Sequence, residues 1–227
     1  MTLTTPLDGL LFDFDGLILD TETSIFQAWG DKFREYGQEL IIEEWAEILG
    51  KSGKDDGPID SFLETIGDVI KQQEIYREVS QKELDLVKQQ KPLPGAVELI
   101  KKAKGDGIKL GIVSSSDREW VHSHLRRLDL LEYFDHTSCS DDVVDAKPDP
   151  ALYHLGLEKM GSSPEKVLVF EDSPNGVLAA KRAGLYCIAV PNKITRQLPF
   201  FENGGNPDRV LDSLRDFPWD EYMKAYQ

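Results

Sequence analysis

Leu10-Leu11-Phe12-Asp13-Phe14-Asp15-Gly16 decides the reading of this chain. It is an apolar run of the length of one buried strand, broken at once by two acids and a glycine. Later runs repeat the design. Leu110-Gly111-Ile112-Val113 leads into Ser114-Ser115-Ser116-Asp117, Val167-Leu168-Val169-Phe170 leads into Glu171-Asp172-Ser173-Pro174, and Cys187-Ile188-Ala189-Val190 follows. Between them the apolar spacing changes to that of helices. Pro94 to Lys104 carries Val97, Leu99, Ile100 and Ala103; Asp117 to Leu128 carries Trp120, Val121, Leu125 and Leu128. Pro150 to Met160 and Asn175 to Ala183 follow the same pattern, and Gly184 is placed to stop the last of them. Strand and helix in alternation predict a doubly wound parallel sheet.

The interval from Asp20 to Gln90 is different. Ile25, Trp29 and Phe33 mark one helical face, Lys71 to Gln90 is a long polar stretch, and no buried strand is evident. The expected organisation is therefore a Rossmann-like α/β core formed by residues 1–19 and 91–227, with an α-helical cap of residues 20–90 inserted after the first strand. Thr21 and Gln90 fall near the two crossings, where a closing motion would hinge.

The 227 residues are 40% hydrophobic and 30% charged, the composition of a soluble globular protein. A formal net charge of −15 argues against nucleic acid or an anionic membrane surface as a partner. An acidic protein that holds a phosphate needs a local positive site made of a metal ion, a lysine and oriented amides. Cys139 and Cys187 are too few and too far apart for a disulfide framework. No signal-like start and no apolar run of about 18 residues is present, so a cytoplasmic protein is expected. Nothing in the sequence demands more than a monomer.

In open parallel sheets, ligands bind beyond the carboxyl ends of the strands. Asp13 and Asp15, separated by one residue, point roughly the same way from a strand end and would repel without a cation. The same tetrapeptide also suits a solvated turn. Ser114 and Ser115 offer hydroxyls and amides at a helix start, a ready anion site or an ordinary cap. Asp117 reads as the cap of that helix. Lys147, inside Asp145-Ala146-Lys147-Pro148-Asp149-Pro150, can place one compact positive charge on a phosphate, or can be a surface lysine ahead of a helix. Glu171 and Asp172 are costly at a buried strand end unless paired or metal-bound, and magnesium prefers such oxygen ligands. The alternative is simple capping by Asp172 or Ser173. Together the four groups supply what a phosphate–metal site requires.

These residues resemble the motifs of the haloacid dehalogenase-like hydrolases over essentially the whole chain. Asp13-Phe14-Asp15-Gly16 is similar to the first motif, Ser114 to the second, Lys147 to the third and Glu171-Asp172 to the fourth. The helical insert resembles the cap of the β-phosphoglucomutase/phosphoglycolate phosphatase-like branch. The resemblance implies Asp13 as nucleophile and Mg2+ ligand, and Asp15 as the proton donor and acceptor whose backbone carbonyl also ligates the metal. It implies Ser114 and Lys147 on the phosphoryl oxygens, with Ser115 beside them. Asp172 would complete the metal shell, with Glu171 one water removed. The expected reaction is magnesium-dependent hydrolysis of a small phosphorylated metabolite through an aspartyl-phosphate.

Three rivals follow from the same resemblance. Dehalogenases of the superfamily lack the second acid, which Asp15 supplies here. A sugar phosphomutase of the β-phosphoglucomutase type carries a histidine soon after the first motif and an arginine in the cap. Asp20-Thr21-Glu22-Thr23-Ser24-Ile25 has no histidine, and Gly50-Lys51-Ser52-Gly53-Lys54 has lysines but no arginine. Lys51 and Lys54 are candidates for substrate contact or for a solvated loop. A non-catalytic binding protein on this fold would need a lost catalytic residue, and none is missing. His122, His124, His136 and His154 show no ligand spacing, Trp120 and Trp219 read as packing residues, and Phe200-Phe201 reads as a loop anchored at one end.

Overall fold

The computed structural model describes residues 7–48, 57–201 and 205–224. Strand β1 (Gly9–Phe12) is followed by helices α1 (Thr21–Glu35), α2 (Ile42–Ile48), α3 (Pro58–Ile66) and α4 (Val69–Gln89). Then come α5 (Ala96–Gly105), β2 (Lys109–Val113), α6 (Arg118–Arg127), β3 (His136–Ser138) and α7 (Ala151–Met160). The chain continues through β4 (Val167–Glu171), α8 (Pro174–Arg182), β5 (Tyr186–Ala189), β6 (Arg209–Val210) and α9 (Trp219–Lys224). The six strands form one sheet in the order β3-β2-β1-β4-β5-β6, and every pairing is parallel.

β1 lies inside the sheet, with Phe12 level with Ile112 on one side and Phe170 on the other. Alternate residues face opposite layers. Leu10, Phe12, Ile112, Leu168 and Phe170 share one core with residues of α5, α6 and α9. Leu11, Val113, Val167 and Val169 share a second core with α7 and α8. The continuous apolar runs of the sequence are the signature of strands buried on both faces.

The four helix readings fall on α5, α6, α7 and α8, each within two residues of the expected ends. Asp117 caps α6 by accepting from the Trp120 amide at 2.8 Å. Gly184, at φ +76°, follows the end of α8. The stretch before Lys147 contains β3, which the apolar runs did not reveal. β6 was likewise not foreseen. Both are short, and His136-Thr137-Ser138 and Arg209-Val210 offer no apolar run.

Helices α1–α4 bury a third core, including Trp29, Phe33, Trp45 and Phe62, with Phe33 and Phe62 stacked at 4.3 Å. Ile194, from the loop after β5, enters it. The two chain crossings lie together: Leu19 bridges Pro92, and Gln90 Nε2 donates to Ser24 Oγ at 3.3 Å. Arg127 of α6 donates to the carbonyls of Val87, Lys88 and Gln90 at 3.2, 3.2 and 3.1 Å, closing the end of α4. Lys51 and Lys54 lie outside the described residues.

Candidate active site

Every strand-end residue expected at the site reaches one cavity of about 440 Å³, Glu171 excepted, which lies buried against its floor. Asp13 leaves the end of β1, its amide bonded to the Phe170 carbonyl at 3.0 Å. Gly16 then turns the chain at φ +77°, where a Cβ would meet Asp172 Oδ2 at 2.2 Å, so glycine is required both for the turn and for the close approach.

Lys147 is the electrostatic centre. It is only 2% exposed, and its Nζ donates to Asp13 Oδ1 at 2.5 Å, Glu171 Oε1 at 2.6 Å and the Val113 carbonyl at 2.7 Å. Burial opposes its charge, but Asp13 and Glu171 outweigh burial and hold the ammonium protonated well above the usual lysine range. The surface-lysine reading is therefore excluded. Tyr153 also donates to Glu171 Oε1.

Asp13, Glu171 and Asp172 are all buried, with one oxygen from each lying within 4.8 Å of the others. Burial, with the neighbouring carboxylates Glu171 and Asp15, pushes Asp13 up to about 8 against the pull of Lys147. Burial and the charges of Asp13 and Glu171 push Asp172 well above the usual carboxylate range. Three acids thus face one lysine. Glu171 Oε2 is buried without any partner. An all-oxygen donor set, an excess of negative charge and an orphaned carboxylate oxygen fit a hard divalent cation. Ser173, not Asp172, caps α8, accepting from the Gly176 amide at 3.2 Å, which leaves Asp172 free for the site.

Asp15 is held differently. Its Oδ1 accepts from Thr21 Oγ1 and Trp120 Nε1, each at 2.9 Å, and its Oδ2 from Ser116 Oγ at 2.7 Å and Ser114 Oγ at 3.3 Å. The expected phosphate ligand Ser114 is thus turned to Asp15 and to the Ser116 amide, whereas Ser115, which lines the cavity, has a buried Oγ with no partner.

The sequence reading missed Thr21, Ser116 and Asn192 as site residues and took Trp120 for packing alone. Trp120 does pack against His124, with centroids 4.5 Å apart, but its N–H belongs to Asp15. Asn192 Nδ2 donates to Asp172 Oδ2 at 2.8 Å and to the Gly16 carbonyl at 3.2 Å. Its position after β5, the neighbour of β4, was the available signal. The histidines form no metal cluster among the described residues.

The profile described as haloacid dehalogenase-like hydrolase matches residues 10–190. The chain belongs to the haloacid dehalogenase-like hydrolases. It is 39% identical to YhcW of Bacillus subtilis, named as a candidate phosphatase, over 92% of this chain and 93% of that one. It is 32% identical to a phosphorylated carbohydrates phosphatase of Thermotoga maritima, over 92% and 99% of the two chains. Among solved structures, CbbY from Rhodobacter sphaeroides in complex with phosphate superposes with a TM-score of 0.74 at 30% identity, over 93% of this chain and 96% of that one. As a haloacid dehalogenase-like hydrolase, the chain is matched over a span that includes all four residue groups, from Asp13 to Asp172. Among its described residues no helix is long and apolar enough to cross a membrane.

Proposed function

We propose that this protein is a magnesium-dependent phosphatase hydrolysing a small phosphate monoester through an aspartyl-phosphate on Asp13. The observation that carries the reading is one cavity holding both a lysine-bound carboxylate, Asp13, and a second, independently held acid, Asp15. A dehalogenase has no use for the second acid. The histidine and arginine expected of a mutase are absent from Asp20–Ile25 and Gly50–Lys54.

In this mechanism Lys147 fixes one oxygen of Asp13, so the other is the one presented to phosphorus. Bond formation from Asp13 to phosphorus accompanies cleavage of the ester P–O bond, and Asp15 delivers a proton to the departing alkoxide. Both Asp15 oxygens are bonded to donors, so taking up and passing a proton requires release of at least one of them. Asp15 then takes a proton from water as that water displaces Asp13 and frees inorganic phosphate. Asp13, Asp172 and the Asp15 carbonyl would hold Mg2+, with Glu171 behind them. When bound, the ion offsets the charge of the carboxylates and phosphoryl oxygens. Residues 20–90 would act as a cap that excludes water.

The test is phosphate release from a generic aryl phosphate and a panel of metabolite monoesters. Asp13→Asn should lower turnover on the order of a thousandfold or more with an unchanged circular dichroism spectrum. Undiminished release by that variant removes Asp13 as nucleophile.

A further inference from the structure

The two carboxylate oxygens of Asp15 are held by donors of different kinds. Oδ1 accepts from Thr21 Oγ1 and from Trp120 Nε1, each at 2.9 Å, and Oδ2 from Ser116 Oγ at 2.7 Å and Ser114 Oγ at 3.3 Å. A hydroxyl can turn about its C–O bond and accept instead of donating, whereas an indole N–H only donates. The indole is also fixed where it stands. Trp120 lies in the first turn of α6, its amide on the capping carboxylate of Asp117. Its ring packs edge-on against His124, which is 4% exposed and stacks in turn on Phe14. Phe14 is the residue between the two catalytic acids. The indole and the backbone that carries Asp15 therefore share one packed unit.

We infer that Trp120 is a positioning residue that keeps Asp15 Oδ1 a standing acceptor, so that Oδ2 is the oxygen that carries the proton. The inference rests on the phosphatase reading and assigns an atom within it. Thr21 and Trp120 fill both lone-pair directions of Oδ1. A proton placed there would displace the indole N–H or leave it aimed at a weak acceptor, and bonds to a charged oxygen are the stronger ones. On Oδ2 the proton meets Ser116, whose hydroxyl turns to accept it, and the indole keeps its partner. Oδ2 is also the oxygen beside Ser114, the expected phosphate ligand, at the end of a strand paired with β1. In the first half of the reaction the Oδ2–H bond breaks and its proton goes to the leaving oxygen, while an Asp13 oxygen bonds to phosphorus and the ester P–O bond breaks. In the second half the water oxygen bonds to phosphorus and the bond from Asp13 to phosphorus breaks. One proton of that water returns to Oδ2. Trp120 acts on both halves through Asp15.

The experiment measures kcat/KM of the full-length protein, in excess magnesium, for p-nitrophenyl, p-chlorophenyl and phenyl phosphate. These esters are alike in shape, and their leaving phenols are less acidic in that order, so each needs the proton more than the one before. The steps up to loss of the phenol set kcat/KM, and a mispositioned acid shows as a steeper fall along the series. In Trp120→Phe the ratio of p-nitrophenyl to phenyl ester should rise about tenfold, the scale of one hydrogen bond to a charged group. Replacing Trp120 by 3-benzothienylalanine keeps both rings and exchanges only the N–H for sulfur. It should raise the same ratio, and it decides the matter if Trp120→Phe misfolds. A ratio unmoved in a folded variant, or an equal loss on all three esters, reduces Trp120 to packing and overturns the inference. Failure of the parent to release phosphate from any of them overturns the phosphatase reading, and this inference with it.

Discussion

Replacing Lys147 by Met keeps the length of the apolar stem and deletes the ammonium. The structure sets the scale of the loss. The Nζ is buried and lies 2.5 and 2.6 Å from two carboxylates and 2.7 Å from a carbonyl. Removing one partner of such a buried pair costs about 3–5 kcal/mol, because the charges left behind lose their compensation. Unfolding entropy is about 2.1 cal/mol/K per residue, which over 227 residues gives about 0.5 kcal/mol/K. The melting temperature should therefore fall by about 6–10 °C in chelator. In excess magnesium the gap should narrow, since a cation among Asp13, Glu171 and Asp172 replaces part of the missing positive charge. Differential scanning calorimetry of parent and variant in both buffers reads all four values. A variant as stable as the parent in chelator would refute the electrostatic reasoning. A gap unchanged by magnesium would place the ion elsewhere.

Gly176→Ala sets a Cβ 2.0 Å from Glu171 Oε2, so it should lower stability by about 1–3 kcal/mol and raise the magnesium concentration needed for half-maximal turnover; a titration matching the parent's refutes this. Chelation should abolish phosphate release and magnesium restore it, with a stability gain of about 2.7 kcal/mol at a hundred times the dissociation constant; full activity in chelator would exclude the metal. Glu83 sits at about 7 instead of its ordinary 4.5 because of burial and the Asp15 charge. The folded state therefore holds that proton more tightly, and the resulting stability is complete below about pH 4.5 and lost as pH rises through about 7. Glu83→Gln deletes this dependence, so its melting temperature should gain on the parent's between about pH 5 and pH 8, and a constant difference would refute it.

The sheet was legible where strands are buried on both faces. β1, β2, β4 and β5 have no solvated side, so their sequences are nearly unbroken apolar runs. β3 and β6 are the two outermost strands of the order, built largely of polar residues, and short enough that no period can establish itself. The acids and lysine were legible because a parallel sheet places its strand ends side by side, so position along the chain translates into position in space. Trp120 was not. It sits on an amphipathic helix where any packing residue would sit, and its partner Asp15 is 105 residues away. Thr21, Glu22 and Glu83 escaped for a related reason. They face the cavity from helices whose packing onto the sheet no local pattern encodes. Phe200 is buried and Phe201 68% exposed, as a loop anchored at one end requires.

Arg127 gives the return crossing an unequal partner. With three carbonyls of residues 87–90 gathered on one guanidinium, the last turn of α4 is tethered to α6, the helix that also carries Trp120. Any swing of α1–α4 over the sheet must either drag α6 along, disturbing the indole that grips Asp15, or break three bonds at once. The outgoing crossing is held by lighter ties, the bridge of Leu19 to Pro92 and the single bond from Thr21 Oγ1 to Asp15. Opening and closing would then be a pivot about one fixed corner, and loosening that corner would be felt at Asp15 without touching it.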